Sequence, residues 1–138
     1  MTARTFVDTN VLVYSYDPVD RRKQEIAARE LVARAEDIVL STQILSEFYN
    51  VVTRRLATPM STTEATAAVE QLRQHPIVAV DEYLVMQGIG LSVEAQISYW
   101  DGLIVAAALH SGCETLLTED LQSGATIAGV RIENPFDS

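Results

Sequence analysis

The chain has little of the chemistry that cross-links small proteins or anchors them in membranes. Its 138 residues include one cysteine, Cys113, which excludes an intramolecular disulfide. The two histidines are isolated, and no Cys/His pairing has the spacing of a zinc site. The longest fully apolar run, residues 103–109, is too short to cross a bilayer, and the N-terminus lacks the apolar segment of a signal peptide. These absences predict a cytoplasmic protein without membrane contact.

Positive charge is also scarce, because 10 Lys and Arg residues face 19 Asp and Glu residues, for a net charge of −9. Residues 74–138 hold Arg131 alone against nine acids, whereas residues 1–73 hold nine basic residues against ten acids. A face that binds nucleic acid must therefore come from the first half of the chain. A metal site would account for part of this negative charge, because the net charge counts the carboxylates and leaves out the bound cation.

A hydrophobic fraction of 48% and a charged fraction of 21% fit one compact domain over residues 1–138. Periodicity predicts strands at 4–8, 38–40, 77–80 and 114–118, with an edge strand near 126–132. Helices are predicted at 20–37, 42–57, 61–74, 81–97 and 99–110, with helical turns at 10–16 and 119–122. Gly88 and Gly90 weaken the predicted 81–97 helix, and they either kink it or permit another backbone to pack closely against it. The alternation favours an α/β domain with a mainly parallel sheet, whose sites form beyond the carboxyl ends of the strands.

Two acids stand at the ends of predicted strands. Asp8 ends the first strand, and Asp120 follows the strand at 114–118. For each, a helix N-cap is the alternative to a functional role. Asn10, two residues after Asp8, has a similar alternative as a turn residue.

Glu47 lies on the apolar face of its helix, three residues after Ile44 and four before Val51. An ionised carboxylate that points at a core is unfavourable unless it is paired or bound to a metal. A buried ion pair with Arg54 or Arg55 is the alternative. We favour metal binding or catalysis for Glu47.

Asp101 lies three residues after Ser98, a spacing that predicts a capping box. The helix that follows is apolar on all sides over residues 103–109, which is typical of a buried helix. Asp101 therefore lies at the start of a helix that we expect to be buried. The residues alone leave a cap and a metal ligand equally open.

The four acids together indicate one site. Asp8 and Asp120 follow strands that can be neighbours at the sheet centre, Asp101 begins the helix between them, and Glu47 projects inward from another helix. Four carboxylates that meet would repel one another without a counter-charge. Hard divalent cations prefer oxygen ligands, so Mg²⁺ or Mn²⁺ is the predicted cofactor.

Four segments of this sequence resemble the motifs of the PIN domain family, particularly its VapC toxins. They are FVDTNVLVY at 6–14, SEF at 46–48, SYWDGLIVAAA at 98–108 and LTEDLQSG at 117–124. The order and spacing match the family over almost the whole chain, which makes the resemblance specific. Gly102 stands where alanine is common, and Gln122 stands where some members carry a further acid.

The resemblance implies a PIN-like α/β fold, with a mainly parallel central sheet of four to five strands flanked by helices on both faces. It implies one or two Mg²⁺ or Mn²⁺ ions, held by the catalytic carboxylates of Asp8, Glu47, Asp101 and Asp120. Groups that orient these acids would be Thr9, Asn10 and Thr118. Gln122 leaves the occupancy of a second metal position open.

The implied activity is that of an endoribonuclease that hydrolyses phosphodiester bonds in RNA by metal-activated water, as the toxin of a toxin–antitoxin pair. The expected partners are the RNA substrate, a cognate antitoxin and a second copy in a homodimer. The candidate RNA contacts are Arg21, Arg22, Lys23, Arg54 and Arg55. Two alternatives remain: an RNA-processing PIN nuclease without an antitoxin, and a non-catalytic interaction protein. The RNA target and the carboxylate that acts as base stay open.

Overall fold

In the computed structural model, which describes residues 3–137, strands and helices alternate along most of the chain. The strands are β1 (Thr5–Val7), β2 (Ile38–Ser41), β3 (Ile77–Val78), β4 (Thr115–Leu117), β5 (Thr126–Ile127) and β6 (Val130–Glu133). The helices are α1 (Thr9–Tyr14), α2 (Arg21–Ala33), α3 (Thr42–Arg54), α4 (Thr62–Leu72), α5 (Glu82–Ala95) and α6 (Tyr99–His110). The predicted α/β class is confirmed.

The strands form one sheet in the order β3-β2-β1-β4-β6-β5. Every neighbouring pair is parallel except β5 with β6. The chain leaves β1 toward β2 and β3 and returns on the other side of β1 as β4, where Val7 pairs with Leu117. The boundary between β1 and β4 is therefore the topological switch point, where α/β sheets form their sites.

Both faces of the central sheet are covered. Consecutive strand residues point to opposite faces, yet Thr5, Phe6 and Val7 are all buried, as are all residues of β2 and β4. Helix α6 is buried from Gly102 to Ala108, in agreement with its apolar sequence. The helices flank the sheet as predicted. In the part of the chain that the structure describes, no helix has both the length and the apolar character needed to cross a membrane.

The sheet has six strands, so the prediction of four to five was too low, and the predicted edge strand at 126–132 is a hairpin. Ala128 and Gly129 have φ of 51° and 90°, which is the conformation of a two-residue hairpin turn. The hairpin places β6 next to β4 and leaves β5 at the edge. A turn that contains Ala128 at positive φ lacks the usual Asn-Gly signal, so the sequence pattern did not reveal it.

The helical turn predicted at 119–122 is wrong, because this segment forms bends instead. Its first backbone amides bind side chains. The amide of Glu119 donates to Oδ1 of Asn10 at 3.3 Å, and the amide of Asp120 donates to Oγ1 of Thr118 at 3.1 Å. The backbone at the start of this segment is therefore held by one tertiary hydrogen bond, to Asn10, and one local hydrogen bond, to Thr118.

Helices α5 and α6 pack closely through two glycines. A Cβ on Gly102 would lie 2.5 Å from the carbonyl oxygen of Gly88, and a Cβ on Gly88 would lie 3.0 Å from Cα of Leu103. Gly88 therefore serves close packing, whereas a Cβ on Gly90 would meet nothing within 4 Å. This contact sets the position of the first turn of α6, which contains Asp101.

Candidate metal centre

Three of the predicted carboxylates converge beyond the carboxyl ends of β1 and β4. One oxygen from each of Asp8, Asp101 and Asp120 lies within 4.8 Å of the other two. The side chain of Asp8 is buried, Asp101 is half-buried and Asp120 is exposed. The cluster, which we call the carboxylate trio, thus extends from the interior to the surface.

Asp8 is both an N-cap and a member of the trio. It follows β1 and caps α1, accepting a 2.7 Å hydrogen bond from the amide of Thr9 through Oδ1. Its other oxygen, Oδ2, accepts a 2.7 Å bond from the hydroxyl of Thr118. Both carboxylate oxygens of Asp8 are therefore oriented by hydrogen bonds, one from Thr9 at the start of α1 and one from Thr118 directly after β4.

Asp101 also combines the two roles that the sequence left open. Its backbone amide donates to Oγ of Ser98 at 3.1 Å, which confirms Ser98 as the cap of α6. Among the described residues the Asp101 carboxylate accepts no bond from the Ser98 amide, so the second half of the predicted capping box does not form. Its carboxylate belongs to the trio. The roles are compatible because the cap uses the backbone amide of Asp101.

Glu47 lies beside the trio and outside it. Its Oε1 accepts a 2.8 Å hydrogen bond from the hydroxyl of Thr9, and its Oε2 accepts a 3.3 Å bond from Nε2 of Gln43. Thr9 thereby links Glu47 to Asp8, because its amide binds one carboxylate and its hydroxyl the other. Among the described residues, Glu47 forms no ion pair with Arg54 or Arg55.

The electrostatics of the site disfavour charge on Asp8. Burial raises the pKa of Asp8 from 3.8 to about 7, against the hydrogen bonds from Thr118 and Thr9, and the charges of Asp120 and Glu47 raise it further. The pKa of Asp101 is also raised, mainly by burial. Hydrogen bonding with the Ser98 side chain opposes this rise, and the negative charge of Asp120 adds to it. A bound divalent cation would reverse this balance and favour the ionised carboxylates.

A cavity of about 910 Å³ opens over the trio. Its acidic lining residues are Asp8, Asp17, Glu47, Asp101 and Asp120. Of the described residues that line it, only Arg55 carries a positive charge. Apolar side chains complete the lining, among them Val13, Val51, Leu56 and Ile104.

The sequence patterns did not identify two of the polar lining residues, Asp17 and Asn50. Asp17 precedes a proline and suggested only the end of a helical turn. Asn50 lies on α3 three residues after Glu47, one turn further along the same helix. That spacing was the available signal for Asn50.

The candidate RNA contacts lie in different places. Arg55 lines the cavity, whereas Arg54 does not. Arg21, Arg22 and Lys23 also lie outside the lining. Nη2 of Arg22 donates to the backbone carbonyl of Phe136 at 2.9 Å, and Lys23 forms an ion pair with Glu119. RNA contact by these residues stays a prediction.

The trio fits a hard divalent cation. All its donors are carboxylate oxygens, which Mg²⁺ and Mn²⁺ prefer. Two oxygens at 2.1 Å from one Mg²⁺ lie at most about 4.2 Å apart. The 4.8 Å span of the trio is therefore within a small side-chain rotation of that arrangement.

The fold and the site together define an α/β domain with an acidic centre at the switch point of its sheet. Residues 5–123 match the PIN domain family. The chain therefore belongs to the PIN domain family. No curated protein sequence matches the chain significantly.

Solved structures resemble this fold over most of their length. A toxin–antitoxin complex from Klebsiella pneumoniae contains a chain with a TM-score of 0.73 and 19% identity, covering 99% of this chain and 100% of that chain. The DNA-bound VapBC of Salmonella typhimurium has a TM-score of 0.70 and 18% identity, with coverages of 97% and 99%. Mycobacterium tuberculosis VapC20, a sarcin-ricin loop cleaving toxin, has a TM-score of 0.65 and 20% identity, with coverages of 81% and 86%. At these identities the likeness is one of fold.

Proposed function

We propose that this protein is a Mg²⁺- or Mn²⁺-dependent endoribonuclease and the toxin of a toxin–antitoxin pair. The observation that carries the nuclease proposal is the approach of three carboxylate oxygens to within 4.8 Å at the switch point of a PIN domain. Full-length fold similarity to a chain of the Klebsiella complex, and similarity to VapC20, a sarcin-ricin loop cleaving toxin, support the toxin proposal.

In this proposal Asp8, Asp101 and Asp120 hold the cation, and a second ion would take Glu47 as a ligand. When bound, the cation supplies Lewis acidity that polarises a phosphodiester and makes water a stronger nucleophile. Thr9 and Thr118 keep the Asp8 carboxylate oriented toward the other two acids through their 2.7 Å hydrogen bonds. Thr9 also donates to Glu47, and Thr118 also accepts from the amide of Asp120, so each threonine positions two acids of the site.

The substrate would bind in the cavity over the trio. Five carboxylates and one guanidinium line this cavity, so a polyanion needs added positive charge to enter it. The cation supplies most of that charge, and Arg55 supplies a contact for a phosphate beside the cleaved one. The apolar residues Val13, Val51, Leu56 and Ile104 offer a surface for the sugar or base.

The same cavity suits a basic antitoxin segment, because its acidic excess complements a positively charged chain.

A homodimer has a separate candidate surface on α5. There Tyr83, Met86 and Val93 are 77%, 66% and 74% exposed, which is unusual for apolar side chains on one helix. Light scattering on the purified protein tests the dimer, and co-purification with the product of a neighbouring small gene tests the antitoxin.

The nuclease proposal is tested with purified, antitoxin-free protein and total bacterial RNA. We expect discrete cuts with Mg²⁺ or Mn²⁺ and none with EDTA. Asp8→Asn and Asp101→Asn should abolish the cuts, whereas Glu114→Gln, which changes an exposed acid outside the cavity, should keep them. Cleavage that survives EDTA or both Asn substitutions would contradict the proposal.

A further inference from the structure

Asp120 is the one member of the carboxylate trio that no helix holds. Asp8 caps α1 and Asp101 lies in the first turn of α6, whereas residues 118–125 form bends and a turn between β4 and β5. Backbone hydrogen bonds to β6 hold the two ends of this segment, because the amides of Thr118 and Gly124 donate to the carbonyls of Glu133 and Ile132 at 2.9 Å. Residues 119–121 between them keep their position through side-chain contacts with other parts of the fold. The position of the Asp120 carboxylate thus depends on those contacts.

Besides the bond from the Glu119 amide to Asn10 of α1, the side chain of Glu119 connects this segment to both α1 and α2. The hydroxyl of Tyr14 donates to Oε1 of Glu119 at 2.8 Å. The ammonium group of Lys23 forms an ion pair with Oε2 of Glu119 and also donates to the Tyr14 hydroxyl at 3.2 Å. We call these three residues the Glu119 cluster. It joins the segment of Asp120 to two helices that lie more than ninety residues away in the chain.

Aromatic packing makes the cluster more rigid than a surface ion pair. The Lys23 ammonium lies 4.7 Å from the ring centroid of Tyr14 and 5.4 Å from that of Phe136. These two rings pack edge to face at 5.0 Å. The side chains of Lys23 and Glu119 are only 25% and 26% exposed, so solvent screens this pair less than a fully exposed one.

We propose that the Glu119 cluster is a positioning device for Asp120, and that Lys23 serves this device and makes no contact with RNA. The inference rests on the proposed metal site and names three residues that act on it through the backbone of Asp120. If one member is removed, the segment relaxes and the Asp120 carboxylate moves away from Asp8. The trio then holds a cation more weakly.

The decisive measurement is Mn²⁺ affinity, determined by calorimetric titration of the whole protein. Lys23→Met and Glu119→Gln should each weaken Mn²⁺ binding roughly tenfold, as is common for groups that orient metal ligands. The double variant should bind no more weakly than either single variant, because both changes break the same link. Glu70→Gln breaks an exposed ion pair with Arg73 and serves as the matched control with unchanged affinity.

Tyr14→Phe guards against variants that fail to fold. It keeps the ring that packs on Phe136 and removes only the hydroxyl that donates to Glu119. We expect a smaller loss of Mn²⁺ affinity than for Lys23→Met, at an unchanged circular dichroism spectrum.

RNA binding in EDTA separates the proposal from the RNA-contact role. If Lys23 contacted RNA, Lys23→Met would weaken this binding and Glu119→Gln, which frees Lys23, would strengthen it. Under the proposal both variants bind RNA in EDTA like wild type while both lose Mn²⁺ affinity. Opposite effects on RNA, or unchanged Mn²⁺ affinity in variants of a wild type that binds Mn²⁺, would overturn the positioning role alone. A wild-type protein that binds no Mn²⁺ would overturn the proposed metal-dependent function and this inference with it.

Discussion

The hydroxyl of Thr118 donates a 2.7 Å hydrogen bond to Oδ2 of Asp8 across the central strand pair. The hydroxyl oxygen of Thr118, Oγ1, also accepts a 3.1 Å hydrogen bond from the backbone amide of Asp120. Thr118 is fully buried, so water does not compete for these bonds. One hydroxyl thereby ties two members of the carboxylate trio together.

Replacing this hydroxyl should weaken the metal site. Thr118→Val keeps the shape of the side chain but removes both hydrogen bonds, and the pKa of Asp8 should rise further because the Thr118 bond lowers it. We expect Mn²⁺ affinity near neutral pH to fall about tenfold. Thr118→Ser retains the hydroxyl and should stay close to wild type in the same calorimetric titration. Equal affinity in the Val and Ser variants would contradict this role.

The stability of the metal-free protein should depend on the charge of Asp8. Its pKa is 3.8 as an ordinary side chain and about 7 in the fold. Below the lower value both states are protonated, and between the two values only the unfolded state ionises. Stability from this group therefore falls as pH rises toward 7 and stays low above it, by an amount on the order of 4 kcal/mol.

Thermal unfolding in EDTA at several pH values measures this effect against Asp8→Asn, which cannot ionise. Between pH 5 and pH 8 we expect the wild type to lose stability relative to the variant. Mg²⁺ should restore the wild type at pH 8 and have little effect on the variant. Parallel pH profiles for the two proteins would show that Asp8 is not the responsible group.

Two acids of the site should differ in their share of metal binding. Asp101 belongs to the trio, whereas Glu47 is connected to Asp8 through Thr9. Asp101→Asn should therefore reduce Mn²⁺ affinity by more than about tenfold, and Glu47→Gln should reduce it by a few-fold at most. Calorimetry with both variants at the same pH checks the order. The reverse order would place Glu47 at the principal ion.

Alanine substitutions at Gly102 and Gly90 should have opposite effects on stability, because of these two only Gly102 lies in the contact between α5 and α6. Gly102→Ala brings a Cβ to 2.5 Å from the backbone oxygen of Gly88, so the helices must separate, at a cost of about 1–3 kcal/mol. Gly90→Ala meets no atom within 4 Å and should stabilise α5 by roughly 0.5–1 kcal/mol. Urea unfolding of both variants measures the difference. Similar effects of the two changes would contradict the close packing at Gly102.

Adjacent arginines on α3 and at its end provide a matched test of RNA binding. Arg55 lines the cavity and Arg54 does not, although both are exposed. Arg55→Gln should weaken RNA binding and lower the slope of log affinity against log salt by about one, the change expected for one lost phosphate contact. Arg54→Gln should leave both quantities near wild type. Filter binding at several salt concentrations, with Ca²⁺ in place of Mg²⁺, makes this comparison.

Local sequence was sufficient for most elements and for the positions of the acids along them. The spacing of Ser98 and Asp101 predicted a helix start, and the apolar strand before Asp8 predicted where the chain turns. Such features depend on neighbours within about four residues, which a sequence displays directly. Where local signals were weak, as at the turn of Ala128 and Gly129, the prediction was wrong.

Distances between remote residues were decided by the tertiary structure. The parallel pairing of β1 with β4 brings Asp8 near Thr118 and Asp120. The packing of α3 against α1 brings Glu47 within hydrogen-bond distance of the Thr9 hydroxyl. Lys23 looked available for RNA until the fold brought Glu119 to it. The sequence by itself determined which chemical groups this protein carries and on which kind of element each one lies. Only the tertiary structure decided which of them meet, because strand register and helix packing depend on interactions summed over the whole core.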